Sequence, residues 1–395
     1  MALRFLTAGE SHGPGLTAIV EGLPSGLALD PAAVEAELRR RQGGYGRGAR
    51  MQIEADRATF TAGVRHGKTL GSPLALHIPN LDHKHWEKIM APFGVAPVPP
   101  QREVTAPRPG HADLAGGTKH RARDLRDVLE RASARETAAR VAVGAVARQF
   151  LAVFGVRIVG HTRSLGGITV EARVPEEVPY DAVQPRAAAN DLAVLDPEMH
   201  ARMVAAIDAA KADGDTLGGV VEVLALGVPA GLGSHVHWDR RLDARLGQAL
   251  LSIPAVKGVE IGPAFANAAL RGSQVHDSVA PAAAGGLQRQ SNRAGGCEGG
   301  VSNGEPLVLR AAMKPLSTLM RALPTVDLRT GKPARAAVER SDVCAVPACG
   351  VVAEAVVAIV LAQAWLEKFS GDCLDDVLAA WRHYVQEVAR WLPSS

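Results

Sequence analysis

The sequence predicts an α+β fold, and three observations carry that reading. Strand and helix signals follow one another irregularly, without the alternation that builds a doubly wound parallel sheet. The 395 residues are 47% apolar yet include only five Trp, three Tyr and seven Phe, so the core is built from aliphatic side chains. Gly and Pro number 41 and 25, punctuating the chain with turns and long loops. No internal repeat and no linker divides it, so residues 1–395 are expected to form one domain with long loops.

The elements follow in order. Asp30-Pro31 reads as an N-cap and first-turn proline, opening an amphipathic helix through Val34, Leu38 and Arg41 that stops at Gly43-Gly44. Residues 51–79 alternate between turn signals and are expected as strands. Residues 92–109 hold six prolines (Pro92, Pro97, Pro99, Pro100, Pro107, Pro109), which excludes a helix. A helical period then runs from about 121 to 153 through Leu125, Val128, Leu129, Ala132, Val141, Val146 and Phe150. Strands are expected at 156–174 and 217–229, with a helix between them from Asp196-Pro197 through Met203 and Ile207 to Gly214. Leu242, Leu246 and Leu250 mark a helix over 239–252. Residues 266–304 read as mostly irregular, 348–368 as a helix apolar all round and hence buried, and 374–391 as a last helix.

A net charge of +3 is too small to imply nucleic acid or an anionic membrane as partner. Met1–Glu10 lacks the apolar core of a signal peptide. The apolar stretch 351–366 is interrupted by Glu354 and Gln363, which argues against a membrane span. Four cysteines without a CxxC pair fit a reducing, cytoplasmic compartment.

Six segments have the composition of a chemical site. Gly9-Glu10-Ser11-His12-Gly13-Pro14-Gly15 sets an imidazole among glycines, where a ligand can approach closely, or else is a tight turn with a surface histidine. Residues 39–50 hold five arginines and four glycines, suited to phosphate or carboxylate, or to a solvated helix end. Arg108-Pro109-Gly110-His111-Ala112-Asp113 aims a second histidine between a rigid and a flexible neighbour, or simply exposes it. Arg131 to Thr137 offers Arg, Ser and Thr to a phosphate if a helix begins there, or a surface ion network. Residues 291–304, with five glycines, suggest backbone wrapping a ligand or a flexible loop, and Lys314-Pro315-Leu316-Ser317-Thr318 follows as a further phosphate contact. Asp342, after Arg340, sits at the mouth of the buried helix as base, orienter or N-cap. His83-x-His85 and His235-x-His237 with Asp239 lack the further ligands a zinc site needs, so no metal is expected.

Taken together, GESHG, RRRQGGYGRGARM, RPGHAD, RASARETAARVA, RAGGCEGGVSNG, KPLSTL and RSDVCAVPA, in this order, closely resemble the chorismate synthase family over about residues 1–365. The resemblance implies a helical layer sandwiched between two antiparallel β-sheets, assembled as a homotetramer. It implies a lyase that converts 5-enolpyruvylshikimate 3-phosphate into chorismate by anti-1,4-elimination of phosphate, with reduced FMN and no net redox change. Catalytic roles would fall to His12, which protonates the departing phosphate, to His111, which protonates the reduced flavin, and to Asp342, which assists proton movement. Arg41, Arg47, Arg108, Ser133 and Arg340 would hold substrate anions, with Arg41 and Arg47 also linked to NADP in members that reduce their own flavin. Arg131, Ala132, Ser133, Pro254, Ala255, Gly299, Lys314 to Thr318 and Arg340 would contact FMN. At Pro254 many members carry Gln or Asn, so here only backbone can serve. No reductase domain is evident, which implies an external flavin reductase or another source of reduced FMN. A non-catalytic flavin- or phosphometabolite-binding protein is the alternative.

Overall fold

The computed structural model describes residues 3–48, 55–94, 102–172, 174–282, 286–339 and 342–392. Two antiparallel sheets hold most of its strands. The first contains β1 (Arg4–Ala8), β2 (Gly15–Glu21), β3 (Thr59–Ala62) and β4 (Leu74–Pro79) in the order β1-β2-β4-β3. Its alternation is plain in β2, where Leu16, Ala18 and Val20 are buried, and in β4, where Leu74, Leu76 and Ile78 are. On its other face Leu6 is 75% exposed. The second sheet contains β5 (Arg157–Leu165), β6 (Ile168–Thr169), β7 (Gly219–Leu226), β8 (Val256–Ile261) and β9 (Leu307–Met313) in the order β8-β9-β7-β5-β6.

Nine longer helices are described: α1 (Pro31–Gln42), α2 (Asp113–His120), α3 (Arg126–Ala132), α4 (Thr137–Ala152), α5 (Tyr180–Ala188), α6 (Pro197–Ala212), α7 (Leu242–Leu251), α8 (Val346–Lys368) and α9 (Leu374–Trp391). Helix α1 starts as its sequence dictates: the Asp30 side chain accepts from Ala32 N at 2.9 Å, and Pro31 occupies the first turn. Helix α4 packs on β2 and β4, α8 packs on β5 and β7, and α4 and α8 pack against each other. They approach closely because α4 carries Gly144, where a Cβ would stand 2.4 Å from the Cβ of Ala355.

Helix α8 differs from expectation in one respect. Despite Glu354 and Gln363 it is long and apolar enough to cross a bilayer by length and composition, but 94% of its most apolar window is buried inside the molecule. Glu354 is tolerated there because Arg40 and Arg148 donate to it and Gly160 N donates at 2.7 Å. Burial pushes its carboxyl up, and the two guanidiniums outweigh this and hold it below its ordinary value.

Other expectations need correction. The helix expected over 121–153 is broken at Ser133, which is extended (φ −62°, ψ 142°). Its hydroxyl accepts from Arg135 N at 3.2 Å, capping a 3₁₀ turn (Ala134–Glu136) that leads into α4. The apolar period continues across the break, so periodicity alone cannot detect it. Helices α2 and α5 and strands β1, β2 and β8 are additional to the expected elements, and β9 is the strand-like run expected just before Lys314. Residues 266–304 hold short hairpins and one-turn pieces, as expected. Asp342 does not cap α8: Ala345 is at that position, with no side-chain cap.

Candidate active site

A cavity of about 860 Å³ opens where the turn after β1, the end of α1, the α3–α4 break, the 108–113 loop, the end of β9 and the start of α8 converge. That is the volume range of a small-molecule or cofactor site. Among the described residues of its wall, Arg41, Arg47, Arg102, Arg108, Arg126 and Lys314 face Asp82, Glu339 and Asp342. The excess of cations suits a polyanionic ligand.

His12 lines this wall from the turn between β1 and β2. Its Nδ1 lies 2.9 Å from both Oε1 and Oε2 of Glu130, and its backbone N donates to Oε2 at 2.9 Å. Ser11 N donates to the Glu130 carbonyl at 2.9 Å, so the turn is docked to the end of α3 twice over. The ring is stacked on Trp86 at 3.9 Å, and Arg102 covers the indole at 3.9 Å. Arg126 donates to Glu130 at 2.8 Å. Burial raises the Glu130 carboxyl, but the bonds from His12 and Arg126 hold it below its ordinary value.

His111 is built on the same plan. Its Nδ1 lies 2.5 Å from Asp113 Oδ1. Arg108 donates to Asp113 through Nε at 2.8 Å and Nη2 at 3.0 Å, and the same Nη2 lies 3.1 Å from His111 Nδ1. Burial raises the Asp113 carboxyl, and His111 and Arg108 overcome that and hold it well below the usual carboxylate range. Arg108 also donates to Thr318 Oγ1 at 3.0 Å, joining this loop to the segment after β9.

Arg41 emerges from the last turn of α1 to Thr137 Oγ1 at 2.9 Å and the Ala134 carbonyl at 3.0 Å. Burial first, and then the neighbouring Arg135 and Arg47, bring its guanidinium down to about 10 against the pull of Asp56. Arg47 reaches Asp342 at 3.4 Å, and Gly48 N donates to that carboxylate at 2.6 Å. Gly46 makes the docking possible: its φ is +82°, and a Cβ would stand 2.9 Å from Ile207. The Gly48 amide is thus engaged by a carboxylate of the protein. Lys314 donates to the Gly110 carbonyl at 3.1 Å, and burial with Lys257 lowers it. Cys349, also in the wall, is pushed up to about 12 by burial and stays a thiol, which makes it a poor nucleophile.

The cavity brings together His12, His111, Asp342, Arg41, Arg47, Arg108, Ala132, Ser133, Pro254, Ala255, Lys314, Leu316, Ser317 and Thr318. Arg131, Pro315 and Gly299 are not part of this wall. Arg131 donates to Thr7 and to the Gly9 carbonyl, bracing the turn that carries His12. Gly299 is at the tip of the hairpin Cys297–Ser302. No residue of 291–304 lines the cavity. Gly295 serves close packing, since a Cβ there would stand 2.3 Å from Gly262 N, whereas a Cβ on Gly299 would meet nothing within 4 Å. Arg340 lies outside the described residues.

Glu130, Asp113, Trp86, Arg102 and Arg126 escaped the sequence reading, although the Arg126–Glu130 spacing of four on a helix is a readable signal. The histidine pairs considered for metal have other uses: His83 Nδ1 donates to the His12 carbonyl at 2.9 Å, and His237 is paired to Asp239 at 2.7 Å. Among the described residues no three His, Cys, Asp or Glu group as metal ligands.

The donor set also fits a flavin mononucleotide. The Ser133 hydroxyl and Lys314 offer phosphate contacts, and Ala255 (φ +69°) turns a backbone free of bulky side chains along the wall. Trp86 is already engaged by the His12 ring and by the Arg102 guanidinium, each 3.9 Å from its ring centre.

Comparison with known proteins agrees with the geometry. A family model described as chorismate synthase matches residues 3–366. The chorismate synthase of Moorella thermoacetica is 59% identical over 389 residues, covering 98% of this chain and 100% of that protein. That of Thermus thermophilus is 56% identical over 388 residues, covering 98% and 99%. A crystal structure of a chorismate synthase superposes with a TM-score of 0.80 at 44% identity, over 99% of both chains. With coverage this complete and identity this high, the chain belongs to the chorismate synthase family.

Proposed function

We propose that the 860 Å³ cavity is where this lyase converts 5-enolpyruvylshikimate 3-phosphate into chorismate and phosphate by anti-1,4-elimination. The observation that carries the assignment is the convergence of two carboxylate-backed histidines and a surplus of arginines on one cavity. The substrate has a phosphate and two carboxylates, so several fixed cations are required to gather it from water.

His12 presents Nε2 to the cavity and gives its proton to the departing phosphate oxygen. Arg41, Arg47 and Arg108 hold substrate anions with Ser133, and Arg340 is assigned to the same task. His111 holds a proton at its cavity-side nitrogen. Asp342, fixed by Arg47 and Gly48, accepts or orients a proton opposite. Reduced FMN, when bound, supplies the reducing equivalent that assists cleavage and is recovered at the end. Ala132, Ser133, Pro254 and Ala255 through backbone, and Lys314, Leu316, Ser317 and Thr318, would hold it, with Arg131, Pro315, Gly299 and Arg340 as further contacts. NADP at Arg41 and Arg47 is not required if flavin arrives reduced from an external reductase.

We read the packing of α4 and α8 between the two sheets as a β-α-β sandwich, one domain over 1–395, acting as a cytoplasmic homotetramer. The decisive assay is anaerobic phosphate release from the substrate with photoreduced FMN. Release with reduced and not with oxidised FMN is expected. No release would favour a non-catalytic flavin- or phosphometabolite-binding protein.

A further inference from the structure

We infer that Glu130 is the positioning residue of His12: it fixes the ring with Nδ1 as donor and Nε2 toward the cavity. The inference rests on the reading of His12 as the acid that meets the departing phosphate.

Three observations carry it. First, an ionised carboxylate can only accept, so Nδ1, 2.9 Å from both Glu130 oxygens, must carry hydrogen. The nitrogen left for chemistry is Nε2. Second, the Glu130 side chain is only 2% exposed, and Arg126 anchors it from one turn earlier on α3, so its position is set by the fold and not by solvent. Third, the ring cannot swing away. Trp86 stacks on it, and that indole is held by Nε1–H to Asp82 at 3.2 Å and by the Arg102 guanidinium 3.9 Å from its ring centre. A bond to a carboxylate and a ring stack together leave one orientation.

The charges around His12 support the same conclusion. From α3 it faces Glu130, with Arg126 behind that carboxylate. From the 3₁₀ turn Leu81–His85, His83 bonds only its carbonyl, and Asp82 is turned to the indole. From its own turn comes Glu10, whose carboxylate lies beside Gly13. Arg102 and Arg126 stand over the indole that stacks on it, at 3.9 and 5.0 Å. The charged group bonded to the ring itself is the Glu130 carboxylate.

The test compares Glu130→Gln and Glu130→Asp in the full chain, by phosphate release with photoreduced FMN across pH 5.5–9. FMN binding by absorbance and thermal melting are read alongside. Glu130→Gln is expected to bind FMN and melt cooperatively and to lose about 10–100-fold in kcat. Glu130→Asp should restore part of the rate. In a His12→Gln background, Glu130→Gln should change kcat less than about twofold, because both act through one group. Wild-type turnover in Glu130→Gln, or a full further loss in the His12→Gln background, overturns the inference. Failure of both Glu130 variants to fold assigns the residue to the fold and overturns it too. Wild-type turnover in His12→Gln is a different outcome, which removes the reading of His12 itself.

Discussion

His12 and His111 both line one cavity, each with Nδ1 on a buried carboxylate and each carboxylate gripped by an arginine. The difference lies in where that arginine stands. At His12, Nδ1 meets only the two oxygens of Glu130, and Arg126 lies behind the carboxylate. At His111, Nδ1 meets an acceptor, Asp113 at 2.5 Å, and a donor, Arg108 at 3.1 Å. One ring is therefore locked with hydrogen on Nδ1 and faces a negative neighbour. The other has both a carboxylate and a guanidinium at the same nitrogen. An imidazole, a carboxylate and a guanidinium are thus combined in two arrangements that differ in the placement of a single guanidinium.

The largest test of this contrast removes each ring. His12→Ala and His111→Ala are each expected to lower turnover by about 10²–10⁴-fold, with FMN binding retained. Phosphate release with photoreduced FMN reads both, and wild-type turnover in His12→Ala breaks the assignment of the acid.

Much of this arrangement was legible in the sequence, and the rest was hidden for physical reasons. Both histidines, Asp342 and the arginines of α1 stood in glycine-rich or proline-rich segments whose composition has no structural need behind it. Helix α8 was readable because it is apolar on every face. The carboxylates behind the histidines were not, because Arg126 and Glu130 four apart on a helix look like an ordinary surface pair. Only the fold shows that both are buried. The break at Ser133, which turns Ala132 and Ser133 into cavity wall, was hidden because one hydroxyl bond ends the helix while the apolar period runs on. Residues 291–304 do not line the cavity, and part of their glycine content has a packing reason the sequence does not show, the close backbone approach of Gly295 to Gly262.

A smaller effect separates the two sites through Trp86, which stacks on His12 and has no counterpart at His111 among the described residues. Trp86→Leu keeps an apolar side chain but removes the stacked ring. A stack of this kind is worth about 0.5–1.5 kcal/mol, so kcat should fall by about 2–12-fold. The loss should disappear when His12 is already replaced and persist when His111 is. Equal loss in both backgrounds would show that the indole shapes the cavity as a whole.

The smallest expected effect concerns stability in acid, and it tests the carboxylates without any catalysis. Asp113 is held well below the usual carboxylate range, and Glu130 is held below it by a smaller margin. A carboxyl whose folded value is depressed contributes stability above its unfolded value, near 4, and loses it as the pH falls toward the folded value. Asp113→Asn should therefore melt below wild type at pH 7, and the gap should close as the pH drops from about 5 to 3. Glu130→Gln should show the same convergence, but less of it, because its carboxyl is less depressed. The difference in melting temperature between the two convergences is expected to be on the order of 2–4 °C, the shift that about 1 kcal/mol produces in a mid-sized domain. Scanning calorimetry at half-unit pH steps reads it. A larger convergence for Glu130 would mean that its carboxylate, and not that of Asp113, is the one more firmly held ionised by the fold.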